Sequence, residues 1–199
     1  MLSLKQICNH PALYLKQNQL NPDLSGKSMR LIELLDEIKK QKEKVLIFSQ
    51  FREMGHLLKE MILKELGEEV MFLHGGVARK KRDEMIKKFS TEKSPWIFIL
   101  SLKAGGTGLN LVSANHVIHY DLWWNPAVED QASDRAYRIG QKSNVFVHRL
   151  LTKGTIEEKI DRMLEKKRAL SKSIVDTGET WITELKDDEL RELVELEKG

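Results

Sequence analysis

Two arginines three residues apart, Arg135 and Arg138, carry the most distinctive chemistry in the chain. At helical spacing they share a face, and Gln131, four residues before Arg135, falls on it too. Two guanidiniums and an amide aimed one way suit an anionic, oxygen-rich target. A γ-phosphate losing its bond is such a target, because an arginine beside it stabilises the charge of the transition state. A bare Arg-x-x-Arg is also consistent with a solvated helix face on which Asp134 balances the arginines. Ile139 is placed to pack inward and Gly140 to end the helix.

The elements that must position this face read as an alternation of strands and helices. Val45–Phe48, Val70–Leu73, Trp96–Leu100, Val117–Tyr120 and Val145–Leu150 are short runs, hydrophobic on both faces. Between them, Leu31, Leu34, Leu35 and Ile38 recur at helical spacing, as do Met54, Leu57, Leu58, Met61 and Ile62. Arg79–Phe89 is a basic helix with Met85, Ile86 and Phe89 inward. The pattern predicts an α/β domain whose parallel sheet is covered by helices on both faces. Ligands of such sheets bind outside the carboxyl ends of the strands.

Polar residues and glycines gather at those ends. Ser49-Gln50-Phe51 follows the first strand, and His74-Gly75-Gly76 the second. Ser101 to Asn110, with Lys103, Gly105, Gly106, Thr107 and Gly108, follows the third, and Asp121 to Pro126 the fourth. The glycines allow a phosphate to approach the backbone, Ser101 and Thr107 add hydroxyl donors, and Lys103 adds charge. Trp124, in a Trp-Asn-Pro turn, could rest on a nucleic-acid sugar or base, or pack under the next helix. Trp123 is expected to pack. His116, His119 and His148 read as core or rim histidines, since none pairs with a carboxylate at metal-ligand spacing. Ser25-Gly26-Lys27-Ser28 is not a phosphate loop: Asn21 stands where the Walker pattern needs glycine, and no strand precedes it. Ser25 or Ser28 is better read as a helix cap.

The stretch Gln131 to Gln141, Gln-Ala-x-Asp-Arg-x-x-Arg-x-Gly-Gln, resembles the last helicase motif of the Swi/Snf-type ATPases. Ser101–Asn110 resembles the fifth motif, Lys44–Phe51 the fourth, and Phe72–Gly76 the segment between them. Leu4–Pro11 resembles the stretch with which these proteins enter their second lobe. The resemblance runs in register from about Leu4 to Leu150. Tyr137 departs from the histidine of the related DEAD-box RNA helicases, and Gln141 from their arginine. His74-Gly75-Gly76 is a variant of a more usual Asp-Gly-small sequence.

What the resemblance implies is a second, RecA-like lobe with a C-terminal helical extension. Residues 1–25 would form a leader from a first lobe, 26–152 the lobe proper, and 153–199 a brace helix followed by an acidic helix. Thr155 would cap the brace, with Glu158 at the capping-box position. Arg135 and Arg138 would act on the γ-phosphate as catalytic arginines, with Gln131 and Gly108 as nucleotide contacts. Ser49, Gln50, His74, Gly75, Ser101, Lys103, Gly105, Thr107 and Trp124 would contact double-stranded DNA. ATP and Mg2+ would be held mainly by the first lobe. The sequence holds no Walker A pattern and no acidic pair after an apolar strand suited to magnesium, so this chain alone is expected not to hydrolyse ATP appreciably. A lobe of an RNA helicase and a non-enzymatic DNA- or protein-binding module are the alternatives. A dinucleotide-binding domain is disfavoured, since no Gly-x-Gly-x-x-Gly follows the first strand.

Composition agrees with this reading without deciding it. The 199 residues suffice for one full core, and no apolar run approaches the roughly 20 residues of a membrane span. Cys8 is the only cysteine, which rules out an internal disulfide and suits a reducing compartment. Net charge is +3, but residues 176–199 hold nine acids and three bases, leaving +9 on the rest. A basic body suits a polyanionic partner, although a solubilising surface would look the same. The lack of long insertions between Gly76 and Gly105 or around Asp121 leans toward a bacterial or archaeal member and a cytoplasmic location, or a nuclear one in a eukaryotic member.

Overall fold

The computed structural model describes residues 1–17, 21–101, 111–123, 126–134, 136 and 144–170, with the side chains of 126–128 and 166–170 excepted. Two short helices, α1 (Leu2–Asn9) and α2 (Pro11–Leu15), lead into α3 (Gly26–Gln41). There follow β1 (Val45–Ser49), α4 (Arg52–Leu66), β2 (Val70–Leu73), α5 (Arg79–Thr91), β3 (Ile97–Ser101) and β4 (His116–His119). Helix α6 (Pro126–Ser133), strand β5 (Phe146–Arg149) and helix α7 (Ile156–Leu170) complete the order.

All four strand pairings are parallel, and the sheet order is β2-β3-β1-β4-β5. The central strands are buried along their whole length because helices cover both faces. On one face, Leu31, Leu35 and Ile38 of α3 and Leu58 and Met61 of α4 pack on Val45, Ile47, Ile99 and Ile118. On the other, Phe89 of α5 and Ala132 of α6 pack on Leu46, Phe48, Phe98 and Val117. The five apolar runs therefore all become strands. One of the two edge strands, β5, departs from two-sided burial, with Phe146 52% exposed, whereas β2 at the other edge is buried along its length.

Local signals set the helix ends. Ser25 caps α3 by accepting from the Ser28 amide, and α2 starts on His10, whose Nδ1 accepts from the Ala12 amide at 3.0 Å. Gly67 ends α4 with φ +66°, a conformation that glycine adopts without a Cβ clash. At α7 the expected capping box is rearranged. The Glu157 amide donates to Thr155 Oγ1, while Glu158 reaches back to the Gly154 amide at 2.9 Å. Residues 1–17 pack closely on the rest. Leu13 joins the first core, and Leu4 and Cys8 lie against Ile156, Ile160 and Leu164 of α7. Among the described residues no helix is long and apolar enough to cross a membrane.

Candidate functional site

Parallel pairing brings the carboxyl ends of all five strands to one edge of the sheet. Ser49 and Ser101 are register partners there, on β1 and β3. His74 follows β2, and Tyr120 to Trp123 follow β4. The centre of this edge is Asp121, a carboxylate only 1% exposed. Its Oδ2 accepts from Ser49 Oγ at 2.5 Å and from Asn9 Nδ2 at 3.1 Å, and its Oδ1 accepts from the Gln50 amide at 2.8 Å. Burial pushes the Asp121 carboxyl above the usual carboxylate range, and Ser49, the Gln50 amide, Lys27 and Lys5 oppose that push.

The expected roles at this edge divide accordingly. Ser49 is expected to face DNA, but its hydroxyl is buried, donates to Asp121 and accepts from the Phe51 amide at 3.2 Å. That hydroxyl shapes the turn into α4 instead of presenting itself to solvent. Ser101 is likewise buried. Gln50 is partly buried, and its amide nitrogen reaches the Leu122 carbonyl at 3.4 Å. His74 lies partly exposed, and its Nδ1 accepts from the Gly76 amide at 3.1 Å. Burial, then Arg52, then His56 lowers the His74 pKa below the ordinary histidine value. Gly75 is exposed, and a Cβ there would meet nothing within 4 Å, so an outside group has room to approach its backbone. Gln131 is exposed on α6, whose neighbouring Ala132 is buried in the second core with Ala136. Arg135, Arg138, Gly108, Lys103, Gly105, Thr107 and Trp124 lie outside the described residues, as does the acidic segment 176–199.

A second buried polar group sits behind Asp121. Lys27 is 4% exposed, and its ammonium donates to Glu157 Oε1 at 2.6 Å, the Tyr120 carbonyl at 3.1 Å and Asn9 Oδ1 at 3.3 Å. Glu157 also accepts from the Thr152 amide at 3.0 Å. The Gly26-Lys27-Ser28 sequence thus spends its lysine on α7 and on the strand end, as the missing Walker spacing implies. No sequence pattern marks Asn9 or Glu157, or predicts that Lys27 and Asp121 meet them. The one local hint was an aspartate directly after an apolar strand.

The remaining histidines have partners. His116 contacts Glu43 at 2.6 Å and His148 at 3.2 Å, and His119 Nε2 meets Ser133 Oγ at 3.0 Å. Trp123 packs partly buried against the second core. Among the described residues no group of three His, Cys, Asp or Glu side chains could hold a metal ion.

Residues 26–140 match the helicase conserved C-terminal domain. The chain is 55% identical over 196 residues to the Bacillus subtilis protein YwqA, whose name assigns it provisionally to the ATP-dependent helicases and translocases. The match covers 97% of this chain and 21% of YwqA, so the chain spans about a fifth of that relative's length. The Sulfolobus solfataricus SWI2/SNF2 ATPase C-terminal domain superposes with a TM-score of 0.82 at 46% identity, covering 99% of this chain and 80% of that one. The Sulfolobus solfataricus SWI2/SNF2 ATPase core in complex with double-stranded DNA superposes at 0.86 with 48% identity, covering 99% of this chain and 41% of that one. The strand order, the site at the carboxyl edge and these likenesses agree: the chain belongs to the helicase conserved C-terminal domain family, as the second RecA-like lobe of a Swi/Snf-type ATPase.

Proposed function

We propose that this chain is the C-terminal motor lobe of an ATP-dependent double-stranded DNA translocase. The observation that carries the reading is the carboxyl edge of the sheet. Gln50 follows β1 there, and His74 and Gly75 follow β2, in a chain of this family. A DNA complex of a 48% identical ATPase core supports a duplex as the partner. Charge supports it too. The first turn of α5, directly after the His74–Gly76 turn, is Arg79-Lys80-Lys81-Arg82 with no acid. Cations at a helix N-terminus oppose the helix dipole, and a phosphate backbone laid across them would relieve that repulsion.

In this reading ATP and Mg2+ are held mainly by a first lobe of the same polypeptide. Closure of the two lobes brings Arg135 and Arg138 to the γ-phosphate, with Gln131 and Gly108 beside the nucleotide. Gln50, His74, Gly75, Lys103, Gly105, Thr107 and Trp124 hold DNA phosphates and shift by a step with each cycle. Ser49 and Ser101 shape that surface from beneath. Contacts of this kind are to backbone, so sequence specificity is low and binding weakens steeply with salt.

The test is ATP turnover by the two-lobe protein, with and without duplex DNA. Turnover should require both lobes and rise on addition of duplex DNA. It should fall by about 10³-fold on Arg138→Ala, the lower end of what an arginine finger contributes. Duplex binding that persists without any turnover would move the assignment to a non-enzymatic binding module. Stimulation by single-stranded RNA in preference to duplex DNA would move it to an RNA helicase lobe.

A further inference from the structure

Helix α6 begins just after the loop that follows β4, and one buried carboxylate holds the two together. Glu129, in the first turn of α6, is 4% exposed. Its Oε1 accepts from the Trp123 amide at 2.8 Å, and its Oε2 from Arg149 Nε at 3.0 Å. Arg149, on β5, passes a second ion pair to Asp161 of α7 at 2.8 Å. The far end of α6 is tied to the sheet, where Ser133 meets His119 at 3.0 Å. Gln131 stands exposed two residues beyond Glu129.

The Glu129 carboxylate thus ties the backbone amide of Trp123 to the first turn of α6. Charge-assisted hydrogen bonds are short and strong, and a buried carboxylate that loses one has no water to replace it. Arg149 and Asp161 fix the other carboxylate oxygen to β5 and α7, so the carboxylate acts as a pivot between the two.

We propose that Glu129 is a positioning residue that couples the duplex-facing loop after β4 to the nucleotide-facing helix α6, so that DNA engagement orients Gln131. This rests on the function proposed above. Glu129 itself touches neither DNA nor nucleotide in this scheme.

The test uses the two-lobe protein with Glu129→Ala and Glu129→Gln. Glutamine keeps an acceptor for the Trp123 amide and gives up the charge facing Arg149. For Glu129→Ala, DNA-free turnover and duplex affinity are expected to stay near the parent values, with KM for ATP unchanged. The stimulation of kcat by duplex DNA is expected to fall by about tenfold, a usual size for coupling between sites. Glu129→Gln should fall between. Unchanged stimulation, or an equal loss of basal and stimulated turnover, overturns the proposal.

Amide hydrogen exchange on the same protein gives a second readout that needs no turnover. Duplex DNA should slow exchange in α6 in the parent background but not in Glu129→Ala, and equal effects in both backgrounds overturn the coupling. A parent that lacks DNA-stimulated turnover would sink the functional reading, and the exchange experiment would still decide whether Glu129 couples loop to helix.

Discussion

Lys27→Met removes the cation at the centre of a buried network, and the structure fixes what it leaves behind. The Lys27 and Glu157 side chains are 2% and 3% exposed, and the pair is 2.6 Å apart. Methionine fills much of the same volume, so packing changes little. Glu157 keeps only the Thr152 amide among the donors described above, and the Tyr120 carbonyl and Asn9 Oδ1 each lose one. Breaking a buried ion pair from one side costs about 3–5 kcal/mol. For a chain of this size each kcal/mol moves the melting temperature by about 2–4 °C, so the transition should drop by about 10 °C. The assay is thermal and urea denaturation of Lys27→Met, Glu157→Met and the double variant. The double variant should recover most of the loss, since a buried pair replaced by apolar groups of similar volume is often neutral. In the two-lobe protein, ATP affinity should be unchanged. A single-variant cost below about 1 kcal/mol would refute the reasoning. So would a lysine whose loss abolished nucleotide binding while stability stayed put, because Gly26-Lys27-Ser28 would then be a phosphate site after all.

Three further outcomes follow from the geometry. Burial, and then Arg149, lowers the His119 pKa from 6.5 to about 4. Between those values the unfolded chain binds a proton that the folded chain excludes, so stability is full above 6.5 and falls as pH drops toward 4. The loss reaches about 3 kcal/mol, and His119→Gln should flatten that part of the pH profile in denaturation experiments. Ser49→Ala should lower stability by about 1–3 kcal/mol, because a buried carboxyl loses a 2.5 Å donor. In a salt-controlled binding titration with duplex DNA, its affinity should stay near that of the parent, and an affinity loss with unchanged stability would restore the direct-contact role. At Gly55 an added Cβ would lie 2.3 Å from Phe72 Cζ, so the ring must swing away from its packing on His74. Overpacking of this kind costs about 1–3 kcal/mol, more than the gain of about 1 kcal/mol from replacing a helical glycine, so Gly55→Ala should melt lower.

The site was legible in the sequence where a single element determined it, and not where two elements had to meet. Val45–Phe48 and Val117–Tyr120 read as strands because each is an apolar run, and parallel strands necessarily bring Ser49, His74, Ser101 and Asp121 to one edge. The inward set Leu31, Leu35 and Ile38 was equally visible, since helical periodicity is a property of one segment. The order β2-β3-β1-β4-β5 was not visible, because neighbours in the sheet are chosen by packing among segments. The two-sided burial expected of β5 failed for a related reason: a strand's pattern does not say which other segments will cover it, and β5 is exposed at one edge while β2 is buried at the other. Asn9, Lys27 and Glu157 look like ordinary surface residues in the sequence, yet Asn9 lies 112 residues from Asp121, and Lys27 lies 130 from Glu157. A buried polar pair leaves no local periodicity, only two polar residues that happen to face each other once the chain has folded. The same reasoning explains Ser49. Its place at a strand's carboxyl end was readable and pointed to the site, but whether its hydroxyl faced outward depended on Asp121, 72 residues away. Residue type and position along one strand thus select the edge where ligands bind, whereas contact with a ligand is decided by which neighbours have already claimed each polar atom.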